Sequence, residues 1–310
     1  MLNTVSISDS HGGDMRKSPL AEILDLQRSW ANSLGKHVAE NGYVASVTEN
    51  LWKPLSPEAM AAFEDGKGSE LRDSERGPAK MRALRSSSAL CVNVFDYWSG
   101  RDCRPLMTAL GLEQADDILR FEARYPTKLS LTNTTNSPPH LDVAIRLCSG
   151  VTAGVESKFT EWLDRRQPEV DKPQQKKSFP KYLADGRVLW AEEDLPHCQS
   201  LVESIDAGTE HFTHLNAPQL LKHALGLGTQ CGRQFSLYYL YYDWPCAQAF
   251  IHRDEIARFD ANVGAEIRFV ALTYQELFKR ISEGASDADN AYLGYLGRRY
   301  FFGHHPAIFG

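Results

Sequence analysis

The most regular alternation of hydrophobic and polar residues along the chain lies in HLDVAIRL, at positions 140–147. Its apolar residues occupy every second position from Leu141 to Leu147, and Asp142 falls on the other side of the pattern. A glycine-containing turn, CSGVTAG, follows, and GVESKF then resumes the alternation with Val155 and Phe159 on its apolar side. Because residues two apart in a strand share one face, the pattern predicts a β-hairpin.

Capping residues and apolar periodicity predict helices on both sides of this hairpin. Ser18-Pro19 and Ser56-Pro57 each start a predicted helix, and Asn216 starts another in NAPQLLKHALGLGTQ. The aromatic segment FSLYYLYYDW predicts a central strand. The three segments after it predict a helix, a strand and a helix: HRDEIARFDANVG, AEIRFV and ALTYQELFKRIS.

Other segments carry weaker patterns. PLMTALGL and QADDILRFEARY are predicted to be short helical pieces, and the threonine-rich TKLSLTNTTN a strand or turn. MRALRSSSALCVNVFDYW fits either a helix or an extended core segment, and the C-terminal YLGRRYFFGHHPAIFG has no clear form.

The order of these elements predicts an α/β or α+β fold with one mixed β-sheet. Of the two we expect α/β, with a central mixed sheet flanked by helices and preceded by an N-terminal helical region. We expect residues 1–17 to be a flexible tail and 18–310 to form a single domain. Within that domain we expect three parts: a helical N-terminal part at 18–110, a core at 111–280 and a C-terminal extension at 281–310.

Charge and cysteine content narrow the function classes. The 310 residues include 34 Lys and Arg against 40 Asp and Glu, a net charge of -6, which excludes a generally basic nucleic-acid binder but not a local basic groove. We find no apolar run long enough to span a membrane or to form a signal peptide. The six cysteines show no CxxC spacing, so we expect reduced thiols in a cytoplasmic protein.

The predicted hairpin carries the candidate chemistry. If both strands turn their apolar sides to one core, Asp142, Glu156 and Lys158 project from the same side of neighbouring strands. Two carboxylates suit a hard divalent cation such as Mg²⁺. The lysine can orient or deprotonate a water, or neutralise charge that develops on a phosphate. The alternative is an ordinary cross-strand charge pair on a solvated surface.

Histidines and basic residues offer further candidates. A zinc site, and with it a zinc-dependent hydrolase, is conceivable from HFTH together with two neighbours in the sequence, namely His211, His214, His197 and His223. Two basic segments can grip DNA phosphates or be solvated loops. The first comprises Lys172, Lys176, Lys177 and Lys181, and the second comprises Arg72, Arg76, Lys80, Arg82 and Arg85.

The chain resembles the PD-(D/E)xK nuclease superfamily, which has the restriction-endonuclease-like fold. The resemblance rests on Pro139 and Asp142 in PPHLDV and on Glu156-Ser157-Lys158 in GVESKF. The proline stands three residues before the aspartate rather than beside it. A wider set of stretches, in the same order over most of residues 80–280, is similar to uncharacterised bacterial restriction-endonuclease-like proteins: SSSALCVNVFDYW, LDVAIRL, GVESKFTEW, QLLKHALGL, FSLYYLYYDW and AEIRFVALTYQELF.

This resemblance implies roles for the hairpin residues. Asp142, Glu156 and the backbone carbonyl of Ser157 become ligands of Mg²⁺ or Mn²⁺, and Lys158 becomes the residue that directs the attacking water. Glu122, on a predicted helix before the hairpin, would add an acidic group or else be a solvated carboxylate.

The helix after the hairpin is implied to add polar groups. Gln219 would join the catalytic residues, and Lys222 and His223 lie three and four residues further along the same helix face. We expect these two to contact DNA with Lys172, Lys176 and Lys177. His223 taken alone would be a half-buried core histidine.

Together, the residues and the resemblance predict a Mg²⁺-dependent phosphodiesterase that hydrolyses DNA. Expected partners are DNA and a second copy of the chain, with no membrane. The alternatives are a nucleic-acid-binding protein that kept the fold without turnover, and the zinc-dependent hydrolase.

Overall fold

The predicted hairpin forms the middle of a five-stranded β-sheet. The computed structural model describes residues 17–65, 70–75, 77–113, 119–132, 137–164 and 179–302. Over these residues the strands pair in their sequence order. They are β1 Arg120–Arg124, β2 His140–Arg146, β3 Thr152–Lys158, β4 Phe235–Tyr241 and β5 Arg268–Thr273.

The sheet is mixed, as the sequence predicted. β1, β2 and β3 pair antiparallel, whereas β3, β4 and β5 pair parallel. Parallel neighbours need a crossover connection, and helices supply it between β3 and β4 and between β4 and β5. The fold is therefore α/β with a central mixed sheet, consistent with a restriction-endonuclease-like core.

Helices cover the sheet. In the described part of the chain they are α1 Pro19–Ser33, α2 Pro57–Asp65, α3 Ser87–Phe95, α4 Arg104–Leu110, α5 Lys128–Thr132, α6 Pro196–Ala207, α7 Ala217–Cys231, α8 Ala247–Val263, α9 Tyr274–Gly284 and α10 Asn290–Tyr300. The three predicted caps are confirmed, and the Ser56 hydroxyl accepts a hydrogen bond from the Ala59 N–H in the first turn of α2. The Ser18 side chain accepts a hydrogen bond from the first turn of α1, and Asn216 does the same for α7.

Side-chain contacts show which helices share a face of the sheet. Glu156 of β3 bonds His223 of α7, and Tyr239 of β4 bonds His252 of α8. Glu156 and Tyr239 are paired in the parallel ladder, so their side chains point to the same face. On the other face Ser157 bonds Tyr274 at the start of α9. The strand that carries the candidate residues is thus buried on both sides.

Two of the predicted elements are wrong. The end of QADDILRFEARY is strand β1 rather than helix, because it pairs with β2 and packs Phe121 against Phe63 of α2. Residues 128–132, predicted as strand or turn, form α5, whose first turn is closed by hydrogen bonds between Thr127 and Ser130.

Two further segments, left open by the sequence, are helices. The segment around SSSALCVNVF is α3, and a buried cluster around Arg299 of α10 ties the two ends of the described chain together. The Arg299 guanidinium donates to the backbone and side-chain oxygens of Asn50, and its backbone carbonyl accepts from Gln27 of α1. The predicted tail at 1–17 lies outside the described residues except for Lys17.

Candidate functional site

The candidate site lies where the pairing between β2 and β3 ends. The last paired residues are Val143 and Val155, and the next residue of each strand is Asp142 and Glu156 respectively. The backbone N–H of Ser157 donates to Oδ2 of Asp142 at 2.6 Å. A side chain thus bonds the β3 backbone at this point, and it fixes the Asp142 carboxylate beside the Glu156 position.

Glu156 is buried and both of its carboxylate oxygens have partners. The Lys158 ammonium donates to Oε1, and the His223 ring nitrogen Nε2 lies 2.8 Å from Oε2. The side chain of Glu156 is 2 % exposed and that of Lys158 is 14 % exposed, and Asp142 is also partly exposed, so Glu156 is the buried centre of the cluster. A buried ion pair of this kind costs desolvation energy and contributes little net stability.

The charges of the cluster are coupled. Burial acts to raise the pKa of the Glu156 carboxyl, but the Lys158 ammonium and the His223 ring outweigh it and hold that pKa at about 2. For Asp142, burial and the adjacent Glu156 carboxylate raise the pKa well above its usual value. Burial acts to lower the pKa of Lys158, but Glu156 and Asp142 together raise it. Lys158 is therefore protonated and Glu156 is deprotonated at neutral pH.

Groups behind the cluster hold its backbone. The Ser157 and Tyr274 hydroxyls lie 2.6 Å apart in the interior, and the buried Cys91 thiol of α3 lies near Ser157. Sequence patterns alone did not predict the contact of Tyr274 with Ser157, because it depends on where α9 begins relative to β3. The sequence does contain one indication of this position, because Thr273 in ALTY is a capping residue and Tyr274 is therefore the first residue of α9.

Glu122 approaches the cluster from β1 and not from a helix. Its backbone has a φ of 47°, a left-handed conformation that is uncommon for a residue other than glycine. Oε2 of Glu122 lies 3.5 Å from Nδ1 of His140, and the carboxylate also raises the pKa of Asp142. Glu122 of β1, Asp142 of β2 and Glu156 of β3 thus lie on neighbouring strands, and Asp142 interacts electrostatically with both of the other carboxylates.

α7 brings its polar stripe to the same place. Gly226 makes this approach close, since a Cβ at that position would lie 2.5 Å from the backbone oxygen of Tyr125. His223 is buried against Glu156, so it faces the protein interior and not the surface where DNA would bind. Gln219, one turn earlier, accepts a hydrogen bond from the Asn216 side chain at 2.6 Å, and its place in catalysis stays a prediction.

The predicted DNA-contacting lysines are placed only in part. Lys222 lies over the rings of Phe179 and Tyr182, at 5.3 and 5.5 Å, and burial lowers its pKa. Lys172, Lys176 and Lys177 lie outside the described residues.

The second basic segment is largely neutralised by neighbouring carboxylates. Salt bridges join Arg72 to Glu64, Lys80 to Glu70 and Arg82 to Asp73, and Arg76 lies outside the described residues.

The zinc site is not supported. His223 is bonded to Glu156, His214 to the backbone oxygen of Trp162, and His197 lies at the exposed start of α6 beside Glu266. Across the residues that the structure describes, no three His, Cys, Asp or Glu side chains are grouped to hold a metal ion.

Magnesium remains compatible with the cluster. Mg²⁺ is usually held by one or two carboxylates, with waters and substrate phosphates completing its octahedron, so a protein cage of three side chains is not required. Asp142 and Glu156 supply hard oxygen donors, and Ser157 adds a backbone carbonyl between Glu156 and Lys158. The donor set therefore fits Mg²⁺ or Mn²⁺ and lacks the thiolate and histidine ligands that zinc prefers.

Comparison with known proteins gives one family. The family model described as Restriction Endonuclease associating with ARP matches residues 22–301. No curated protein matches the chain, and no solved structure matches it. The described helices include none long and apolar enough to cross a membrane. The matched range contains the hairpin, Glu122 and α7, so the whole candidate site lies inside it.

Proposed function

Because the chain belongs to the family of restriction endonucleases associating with ARP, we propose that it is a Mg²⁺- or Mn²⁺-dependent nuclease that hydrolyses DNA. Family membership indicates a nuclease, and a nuclease of this kind takes DNA as substrate. The metal requirement and the residues that carry the reaction are our proposal. It corresponds to a PD-(D/E)xK site built from Asp142, Glu156 and Lys158.

The observation that carries the proposal is the buried cluster of these three residues. Two carboxylates and an ammonium are costly to remove from water, and they stabilise a fold less than apolar side chains would. Such groups gather where their perturbed pKa values serve chemistry. Lys158 and Asp142 are the members that reach the surface, so a phosphate at the sheet edge would meet the ammonium while the aspartate oxygens remain open to a metal.

Each residue has a separate part in the proposed reaction. A bound divalent metal would lower the pKa of a water and stabilise charge on the phosphate. Asp142 and Glu156, with the Ser157 carbonyl, would hold that metal. Lys158 would orient the water and neutralise charge on the phosphate, because a lysine with a raised pKa is a poor base. His223 keeps one oxygen of Glu156 fixed.

The remaining predicted residues belong to the periphery of this site. Glu122 would add a third carboxylate from β1, and Gln219 would position the water or the scissile phosphate from α7. We propose that the DNA phosphates are contacted by four lysines, Lys172, Lys176, Lys177 and Lys222. The family description also names an association with ARP, and we propose that this chain works with such a partner.

Cleavage of defined substrates tests the proposal. Plasmid, linear duplex and single-stranded DNA would each be incubated with Mg²⁺, with Mn²⁺ and with EDTA. We expect cleavage with either metal, no cleavage with EDTA, and none from Glu156→Gln. DNA binding without cleavage by the wild-type protein would instead identify a binding protein that kept the fold. Cleavage that persists in EDTA would contradict the metal requirement.

A further inference from the structure

A recess opens at the same edge of the sheet as Lys158, beyond the ends of β4 and β5. It has a volume of about 540 Å³, and its lining includes Asp243, Phe250, Arg253 and Gln275. Phe250, in the first turn of α8, is 71 % exposed, an unusually large fraction for a phenylalanine. Nothing in the proposed reaction uses this recess.

The recess is close to the proposed catalytic lysine. Lys158 is paired with Tyr241 in the parallel ladder, and Asp243 lies two residues beyond Tyr241. Adjacent strands are about 4.8 Å apart and a strand rises about 3.3 Å per residue, so the mouth of the recess is on the order of 10 Å from Lys158. A DNA strand spans that distance with only a few nucleotides.

Its chemistry suits one planar group. The Arg253 guanidinium lies 5.1 Å from the centre of the Phe250 ring, and it donates to Asp243 at 3.1 Å. The ring is therefore backed by a cation that is itself held by a carboxylate. Gln275 in turn fixes the Asp243 backbone through both its amide N–H and its carbonyl. A rigid aromatic face beside an arginine is a stacking surface for nucleic-acid bases.

Other occupants fit the recess less well. A protein-docking patch usually offers several hundred Å² of contiguous apolar surface. Here Phe250 is the large exposed apolar side chain of the lining, and the remaining lining residues are Pro245 and Cys246 together with the polar Asp243, Arg253, Thr273 and Gln275. The Asp243 carboxylate offsets the Arg253 cation and so weakens its attraction for a phosphate, whereas an uncharged base can stack on the ring and donate an amino group to the carboxylate.

We propose that Phe250 and Arg253 form a subsite that stacks an unpaired base of the substrate strand, within a few nucleotides of the scissile phosphate. This inference rests on the proposed nuclease function, because it assumes that the cleaved DNA strand passes over Lys158. The subsite contributes to strand binding and not to the chemical step.

Binding of a single-stranded oligonucleotide of 12 nucleotides tests the subsite, with 2-aminopurine replacing one base in turn and EDTA present to prevent cleavage. Stacking contributes about 1–3 kcal/mol per base, so Phe250→Ala should weaken the affinity at least about fivefold and reduce the quenching of one 2-aminopurine position. Phe250→Trp should retain both. Phe250→Leu, which keeps an apolar side chain without a ring face, should lose the quenching. Leu34→Ala, at another exposed apolar residue, is the matched control and should bind as the wild type does.

Several outcomes would overturn the subsite. Wild-type affinity and quenching in Phe250→Ala would do so, and so would undiminished quenching in Phe250→Leu. A change in the sedimentation mass of Phe250→Ala with unchanged DNA affinity would identify a protein contact instead. If the wild type cuts DNA while Phe250→Ala binds normally, the subsite alone fails. If binding depends on Phe250 but no metal supports cleavage, the nuclease function fails and the subsite stands.

Discussion

At the scale of the residue, Glu156 is the most constrained group of the site. Its two oxygens are held by different elements, Lys158 on its own strand and His223 on α7. The alternation in HLDVAIRL and GVESKF was enough to predict that Asp142, Glu156 and Lys158 would be neighbours. It was not enough to predict the role of His223, because that contact depends on how closely α7 approaches the sheet. Glu122 was assigned to a helix but lies on β1, and its part in the site stays a prediction.

The contact between His223 and Glu156 leads to a first prediction. His223→Phe removes the hydrogen bond to Oε2 and leaves a buried carboxylate oxygen without a partner. Loss of a group that orients a metal ligand typically costs about 10–100-fold in metal affinity, so we expect such a drop for Mn²⁺ measured by calorimetry. His197→Phe, at an exposed histidine, is the control and should bind Mn²⁺ normally. Equal affinity in both variants would show that His223 does not position Glu156.

Asp142 and Lys158 should differ in their effect on metal binding. Asp142→Ala removes a proposed ligand, and we expect no calorimetric signal for Mn²⁺. Lys158→Met removes a cation that interacts with both carboxylates, so Mn²⁺ should bind as tightly as to the wild type or more tightly. The same loss of binding in the two variants would contradict these roles.

At the scale of the element, close packing of α7 on the sheet positions the site. Gly226 is the residue that permits it, because the nearest backbone oxygen would be only 2.5 Å from a Cβ. We expect Gly226→Ala to lower the free energy of unfolding, by about 1–3 kcal/mol, although alanine favours helix over glycine by about 1 kcal/mol. Thermal or urea unfolding measures this change.

Gly294 of α10 provides the matched control. A Cβ there would meet only the end of the Arg298 side chain, at 3.2 Å, which can move aside. Gly294→Ala should therefore be neutral or stabilising. If the two alanine variants unfold alike, the close approach of α7 is not what Gly226 provides.

The sequence predicted elements best where periodicity and caps agreed, and it failed where pairing decided the structure. β2, β3, β4, α7 and α8 were recognisable from alternation, aromatic content or capping residues. β1 was not recognisable, because Leu119 and Phe121 suit a helix as well as a strand. Its hydrogen-bonded pairing with β2 determines that it is a strand. α5 depends on reciprocal hydrogen bonds between Thr127 and Ser130, a short-range signal that the threonine-rich composition concealed.

At the scale of the whole molecule, buried histidines link stability to pH. His252 is fully buried, stacked on Trp162 and bonded to Tyr239, and burial lowers its pKa to about 3. A histidine whose folded pKa lies below its unfolded value of 6.5 takes up its proton mainly on unfolding. The stability that neutral His252 contributes is therefore fully present above pH 6.5 and is lost progressively as the pH falls toward 3.

This gives a prediction for acid sensitivity. Between pH 6.5 and 5.5 the protonation of His252 in the unfolded chain should lower the free energy of unfolding by about 1 kcal/mol. In His252→Gln that part of the pH dependence should disappear, whatever the absolute stability of the variant. His197→Gln should keep the wild-type dependence, because this side chain is exposed. An unchanged slope in His252→Gln, followed by urea unfolding at each pH, would exclude His252 as its source.

The fold class could be predicted for the whole chain because a hairpin followed by strands and crossover helices permits few arrangements. The order of elements required parallel neighbours after β3, and these require helices as connections. The ends of the chain could not be predicted. Their packing depends on Arg299, a buried cation that bonds Asn50 and Gln27 across more than 240 residues of sequence.

The central claim is that the cluster at the end of β3 performs metal-dependent DNA cleavage. The most direct test is the single-turnover rate of plasmid cleavage by the wild type and by Lys158→Met, both at saturating Mn²⁺. Loss of one group that stabilises transition-state charge costs about 10²–10³ in rate, and we expect at least this loss in Lys158→Met with its metal still bound. Cleavage by Lys158→Met at the wild-type rate would contradict the account.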